Sequence, residues 1–240
     1  MSFPYKIIDL THTLTEKTPS WTGGCGYNPE IKLDYDQCDG DVKFRVQQLK
    51  MHCGIGTHID TPAHCIPGGA TSESLQLNDL CAPLVVIDVS AKMHERYSVS
   101  IGDLQSAKVS FQDTFVLIKT GWGKFWDSPK QYHNNHIFPS VSGDAAEFLG
   151  EQGIKGLGID TLSPDRPEDG FPVHDAILGS GKYIVENIFI PDGLPLSGGY
   201  AMALPPKLSG CTEAPIRLLA LFCENKICYI KKAAHIAQHI

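Results

Sequence analysis

Apolar runs and their breaks divide the chain into many strands with a few helices between them. Residues 5–10 read as a strand, and residues 44–51 alternate loosely between apolar and polar positions and read as a strand leading into the chemistry-bearing stretch that follows. Residues 84–89 form a largely β-branched run, which predicts a buried strand, and residues 114–119 read as another buried strand. Residues 154–159 read as a glycine-containing strand, residues 183–185 as a short strand, and residues 200–204 and 216–222 as late strands. Helices are predicted after Ser100 and over residues 142–149, with Ser100 and Ser142 as N-caps. A short third helix is predicted over residues 173–178, ending at Gly179. Residues 17–30 carry Pro, Gly and Asn and predict a long loop that exposes Trp21. No linker, repeat or low-complexity tract interrupts the series. The expected fold class is mixed α/β, a single domain over residues 1–240, rather than a doubly wound sheet.

The stretch Gly56-Thr57-His58-Ile59-Asp60-Thr61-Pro62-Ala63-His64 carries the densest chemistry. On an extended strand His58 and Asp60 leave the same face, because strand side chains alternate with period two. An imidazole nitrogen and a carboxylate oxygen on one face suit a borderline divalent cation such as Zn or Mn. Pro62 cannot donate to a sheet ladder, so it ends the strand and turns the chain. That turn can return His64 over the ion as a general base rather than as a ligand. The competing reading is a strand-to-loop junction whose His and Asp make ordinary hydrogen bonds.

A second cluster lies downstream. Gly158-Ile159-Asp160-Thr161-Leu162-Ser163-Pro164-Asp165 ends a strand on polar groups, a common site location in α/β sheets. His174 and Glu186 follow. Glu186 closes the apolar run 183–185, and a carboxylate turned inward there needs a partner. Asp160 and Asp165 either support the site or cap turns.

Composition narrows the function class. The formal charge of −7 and the absence of a long basic run argue against a nucleic-acid partner. No apolar run approaches a membrane span, and the first residues lack a signal-peptide core, so a cytoplasmic location is expected. The eight cysteines form no C-x-x-C pair and read as reduced thiols, with Cys53 and Cys65 flanking the candidate site. No Gly-x-Ser-x-Gly elbow is present, which argues against a serine hydrolase. His133-Asn134-Asn135-His136 reads as a surface loop, Trp122 and Trp126 as core or interface aromatics, and His235 and His239 as part of a terminal tail.

Taken together, 56–64, Thr18-Pro19-Ser20-Trp21, Lys119-Thr120-Gly121-Trp122, 158–165, and the pair His174 and Glu186 resemble the cyclase family of metal-dependent hydrolases, which has arylformamidase- and isatin hydrolase-type members. The resemblance spans residues 8–221. It implies a swivelling β/β/α arrangement, a homodimer or homotetramer, and one or two Zn or Mn ions. It implies hydrolysis of a small aryl formamide or cyclic amide, as in tryptophan catabolism, with lactone hydrolysis as an alternative. By position, His58, Asp60, His174 and Glu186 correspond to metal ligands, His64 to the catalytic histidine and Trp21 to an aromatic wall of the substrate site. One departure stands out. The family pattern has a histidine where this chain has Gly54, and the aspartate that follows its tryptophan is replaced by Gly23-Gly24. His52 is a candidate substitute ligand. One strand step of two residues spans about 6.6 Å, however, so a bulge would be needed to bring it in. Gly54 also leaves open a silent relative that binds a small ligand without chemistry.

Overall fold

A computed structural model describes residues 3–24 and 26–224. In chain order these residues form β1 (Tyr5–Asp9), β2 (Tyr27–Leu33), β3 (Val46–Met51), β4 (His58–Asp60), α1 (Leu77–Leu80), β5 (Cys81–Asp88), β6 (Ser98–Val99), α2 (Ile101–Ser106), β7 (Phe115–Lys119), α3 (Pro129–His133), β8 (Ser140–Val141), α4 (Gly143–Glu151), β9 (Gly156–Ile159), α5 (Pro172–Gly179), β10 (Tyr183–Glu186), β11 (Ser197–Leu204), β12 (Glu213–Pro215) and β13 (Arg217–Cys223). The mixed α/β class expected from the pattern is the class observed. Ser100 and Ser142 cap α2 and α4 as expected, each accepting from a backbone N–H in the first turn.

Nine strands form one sheet in the order β1-β13-β11-β5-β7-β9-β10-β4-β12. β5, β7, β9 and β10 pair in parallel, and the remaining pairs are antiparallel. Parallel neighbours need long crossovers, and the helices α2 to α5 lie in those connections. β12 and β13 are separated by Ile216 alone, yet stand near opposite ends of the strand order. The sheet must therefore curl. The segment after β1 meets the segment after β10, where Thr11 bridges Ile188 and Phe189 N donates to Leu10 O.

The two faces bury separate cores. One packs Val85, Ile87, Val116, Ile118, Leu157, Ile159 and Ile184 against α4 and α5. The other packs Leu84, Val86, Phe115, Leu117, Val185, Ile59 and Ala214 inside the curl. Glycine in β9 has a steric cause. A Cβ at Gly158 would stand 2.6 Å from both Phe115 Cζ and Ile188 Cδ1, and one at Gly156 would press into the Tyr183 ring. The strand stays bare on that face so that the two rings can lie over it. They stack at 6.0 Å.

Candidate metal centre and its cavity

The site grows from three adjacent short strands. β4 pairs antiparallel with β10 on one side and β12 on the other. The registers set Glu186 opposite His58 and Glu213 opposite Asp60. Directly opposed residues share a face, so four polar side chains emerge together. Ile59, Val185 and Ala214 point the other way into the inner core. The period-two expectation for His58 and Asp60 thus holds. Their side chains meet at 3.4 Å, and both are buried.

The fifth member comes from α5. Phe171, the residue before this helix, has φ of 61° and offers no side-chain cap. Asp165 supplies one from a distance, accepting from Val173 N at 3.0 Å and His174 N at 2.9 Å. The same carboxylate accepts from His174 Nδ1 at 2.7 Å. That bond fixes the tautomer and leaves Nε2 facing Glu186 Oε1 at 3.5 Å and Asp60 Oδ2 at 3.8 Å. His58 is fixed in the same way. Its Nδ1 donates to Gly56 O at 2.8 Å, and its Nε2 lies 3.4 Å from Glu186 Oε2.

Pro62 ends β4, as expected, and opens a 3₁₀ turn over Pro62–His64. The turn carries His64 back over the cluster, with its Nδ1 at 3.6 Å from Glu213 Oε2 and its ring 5.9 Å from that of His174. His52 is not brought to the cluster. It is exposed, donates its N–H to Gly26 O, and sets its ring against Gly26. Cys65 borders the cavity, whereas Cys53 Sγ lies 4.0 Å from Cys211 Sγ. His235 and His239 lie outside the described residues.

A cavity of about 400 Å³ opens above these groups, walled by Trp21, Phe171 and Leu162. Trp21, expected on the substrate side, does border it. The segment 133–136 differs from a free surface loop. His133 Nε2 and His136 Nε2 both donate to Trp21 O, at 2.9 and 2.8 Å, and the His136 ring lies 4.1 Å from the indole. These two histidines hold the aromatic wall in place. Trp122 is buried in a satellite core and donates its indole N–H to Tyr132 O. Asp160 is buried away from the cavity lining and accepts from Thr120 N, Thr120 Oγ1 and Gly121 N. Of the two downstream aspartates, Asp165 touches a site residue directly, while Asp160 ties down a turn.

The electrostatics are those of a crowded, buried cluster. Burial opposes charge on His58, yet Asp60 and Glu186 outweigh it and raise its pKa to about 10. Burial likewise opposes charge on His174, and Asp165 and Asp60 still hold its pKa well above the usual value. Asp60 is depressed despite its burial, because His58 and His174 flank it. Burial and the neighbouring Asp60 charge push Glu186 up to about 8. Asp60 Oδ1 is buried and accepts no hydrogen bond among the described residues. A buried acceptor left open beside two imidazoles fits a cation. Two overlapping groups can hold one, His58 with Asp60 and Glu213, and Asp60 with His174 and Glu186, each with ligand atoms within 4.8 Å of one another. Mixed nitrogen and oxygen donors suit a borderline divalent ion. Glu213 is the functional candidate that sequence reasoning missed. Only its register against Asp60 reveals it.

The fold and this cluster define a mixed α/β protein with a carboxylate–imidazole centre, and comparison with known proteins places it. The putative cyclase family model matches residues 8–166, and the chain belongs to that family. A kynurenine formamidase of Bacillus cereus is 27% identical over 212 residues, covering 88% of this chain and 94% of the relative. The kynurenine formamidase of Salinibacter ruber is 27% identical over 216 residues, covering 88% and 95%. Among solved structures, isatin hydrolase A from Ralstonia solanacearum superposes with a TM-score of 0.82 at 26% identity, covering 91% of this chain and 92% of that one. A predicted metal-dependent hydrolase from Bacillus stearothermophilus superposes with a TM-score of 0.72 at 31% identity, covering 90% and 98%.

Proposed function

We propose that this chain is a metal-dependent hydrolase that cleaves the C–N bond of a small aryl formamide or cyclic amide. One observation carries the reading: buried His58, Asp60, His174 and Glu186 converge, with Asp60 Oδ1 open, at the floor of an aromatic-walled cavity. The similarity to kynurenine formamidases and isatin hydrolase A supports the substrate class. In this reading His58, Asp60, His174 and Glu186 are metal ligands, with Asp60 and Glu186 facing both imidazoles. One or two ions, Zn or Mn, would be held here and would supply Lewis-acid activation of a water and of the substrate carbonyl.

The remaining chemistry belongs to the side chains. His64 stands at the cavity rim, its side chain 34% exposed and its Nδ1 facing Glu213. It takes a proton from the attacking water and returns one to the leaving nitrogen as the C–N bond breaks. Asp165 and the Gly56 carbonyl keep His174 and His58 in the orientation the site needs. Trp21 and Phe171 give an aryl ring an apolar wall.

The direct experiment is elemental analysis of protein purified without added metal, followed by assays with aryl formamides, isatin and lactones. Metal in the protein with turnover of an aryl amide is the expected result. Turnover confined to lactones would move the reaction to C–O cleavage. Failure to take up Zn or Mn would overturn the reading in favour of a silent ligand-binding relative. Among the described residues no helix is long and apolar enough to cross a membrane. The enzyme assembles as a homodimer or homotetramer.

A further inference from the structure

Glu213 has a position that the ligand set above does not explain. It leaves β12 opposite Asp60, on the polar face of β4. Its Oε1 stands 4.0 Å from His58 Nε2, and its Oε2 stands 3.6 Å from His64 Nδ1. The space its carboxylate fills belongs to Gly54. A Cβ built on Gly54 would collide with Oε1, lie 2.9 Å from Cδ, and come within 3.3 Å of His58 Nε2. A side chain at position 54 and the observed place of Glu213 are therefore mutually exclusive. The open acceptor, Asp60 Oδ1, faces the same imidazole nitrogen at 3.4 Å. One donor atom each from His58, Asp60 and Glu213 can meet on a single ion.

We propose that Glu213 is a metal ligand, binding with His58 and Asp60 one divalent cation while His174, Asp60 and Glu186 bind the other. The inference rests on the metal-dependent reading above and adds a residue to it. The missing side chain at Gly54 is then an exchange of donors and not a loss. A carboxylate on β12 enters the space that a side chain at position 54 would occupy. The exchange leaves one imidazole and two carboxylates at this position, an oxygen-rich set that favours a harder ion such as Mn. The second oxygen of Glu213 remains free to hold His64 over the centre.

The experiment titrates metal-free protein with Mn(II) and reads free ion by electron paramagnetic resonance, giving sites per chain and affinity without any turnover assay. The proteins are wild type, Glu213→Ala, Glu213→Gln and the double variant Gly54→His with Glu213→Ala. Glu213 has a side chain 26% exposed, so its removal leaves the fold, and circular dichroism checks this. The single variants are expected to lose one site or to bind at least about tenfold more weakly. The double variant is expected to recover the site, with a relative preference moved toward Zn. If Glu213→Ala does not fold, the isosteric Glu213→Gln decides. Wild-type stoichiometry and affinity in the folded single variants would overturn the assignment while leaving the metal reading intact. So would a loss of turnover with unchanged Mn binding, which would make Glu213 a positioning partner of His64 only. A wild type that binds neither Mn nor Zn would overturn both readings.

Discussion

His64 and Asp165 show how differently two residues in one site can act. His64 sits at the rim and, among the described carboxylates, touches only Glu213. Its replacement by alanine should leave metal content unchanged and lower kcat by about two to four orders of magnitude, the usual contribution of a positioned general base. Retained turnover in metal-loaded protein would remove His64 from the mechanism. Asp165 is buried and bonds to His174 Nδ1. Asp165→Asn should weaken metal binding by about 10- to 100-fold through the loosened imidazole, which chelator competition would measure. The sequence marked His58, Asp60 and His64 by their spacing, because two-residue periodicity and a following proline act locally. It left Asp165 ambiguous and Glu213 unseen. Glu213 meets Asp60 only by pairing of strands far apart in the chain, and Asp165 reaches His174, nine residues on, only through the turn that precedes α5, so neither periodicity nor a capping pattern encodes the contact.

At the scale of elements, short strands carry the site and glycines let them pack. β9 is the clearest case. Gly158→Ala places a methyl 2.6 Å from Phe115 Cζ and Ile188 Cδ1, both in the inner core. Both neighbours are fully buried, so the core has little room to yield. Overpacking of this kind should lower the unfolding free energy by about 1–3 kcal/mol, read as a reduced denaturant midpoint with an unchanged slope. An unchanged midpoint would mean that the curl can relax. β-branched runs announced β5 and β7, and capping serines announced α2 and α4, because these signals depend on nearest neighbours. The strand edges at Val46 and Arg217 fell near the expected boundaries. β12, three residues long and containing Pro215, gave no such signal. It exists because an edge strand can pair on β4 without a proline donor.

At the scale of the whole molecule, His12 links the stability of the fold to pH. Its ring stacks on Trp126 at 3.8 Å, and its Nε2 is buried without a hydrogen-bond partner among the described residues. Burial lowers its pKa from 6.5 to about 4. The folded state therefore binds the proton less well than the unfolded state does. The contribution of neutral His12 is complete above pH 6.5 and is lost as pH falls from there toward about 4. Asp9, which borders the same hollow, is engaged by Arg217. His12→Phe should flatten the stability profile in that window, as urea unfolding at several pH values would show. A slope unchanged by the substitution would place the acid sensitivity elsewhere. A second prediction concerns assembly. β3 is exposed along its whole length, and Ile31, Val46, Leu49 and Met51 of the β2–β3 hairpin present apolar side chains to solvent. A two-stranded ribbon of this kind is marginal by itself, and a second copy of the chain is the occupant the proposed homo-oligomer supplies. Sedimentation should find the wild type associated and Leu49→Asp shifted toward monomer. A wild type that sediments as a monomer would refute the assembly.

By itself the sequence determined the mixed α/β class, the main strands and capped helices, and a local triplet of His58, Asp60 and His64. Each of these follows from interactions between residues a few positions apart, where periodicity, capping and proline geometry operate. Tertiary structure alone decided that β4 lies between β10 and β12, that Glu186 and Glu213 face His58 and Asp60, and that His52 turns away while Glu213 fills the space over Gly54. Register between strands distant in sequence is set by packing of the curled sheet as a whole, and it is that register which assembles the charges of the site.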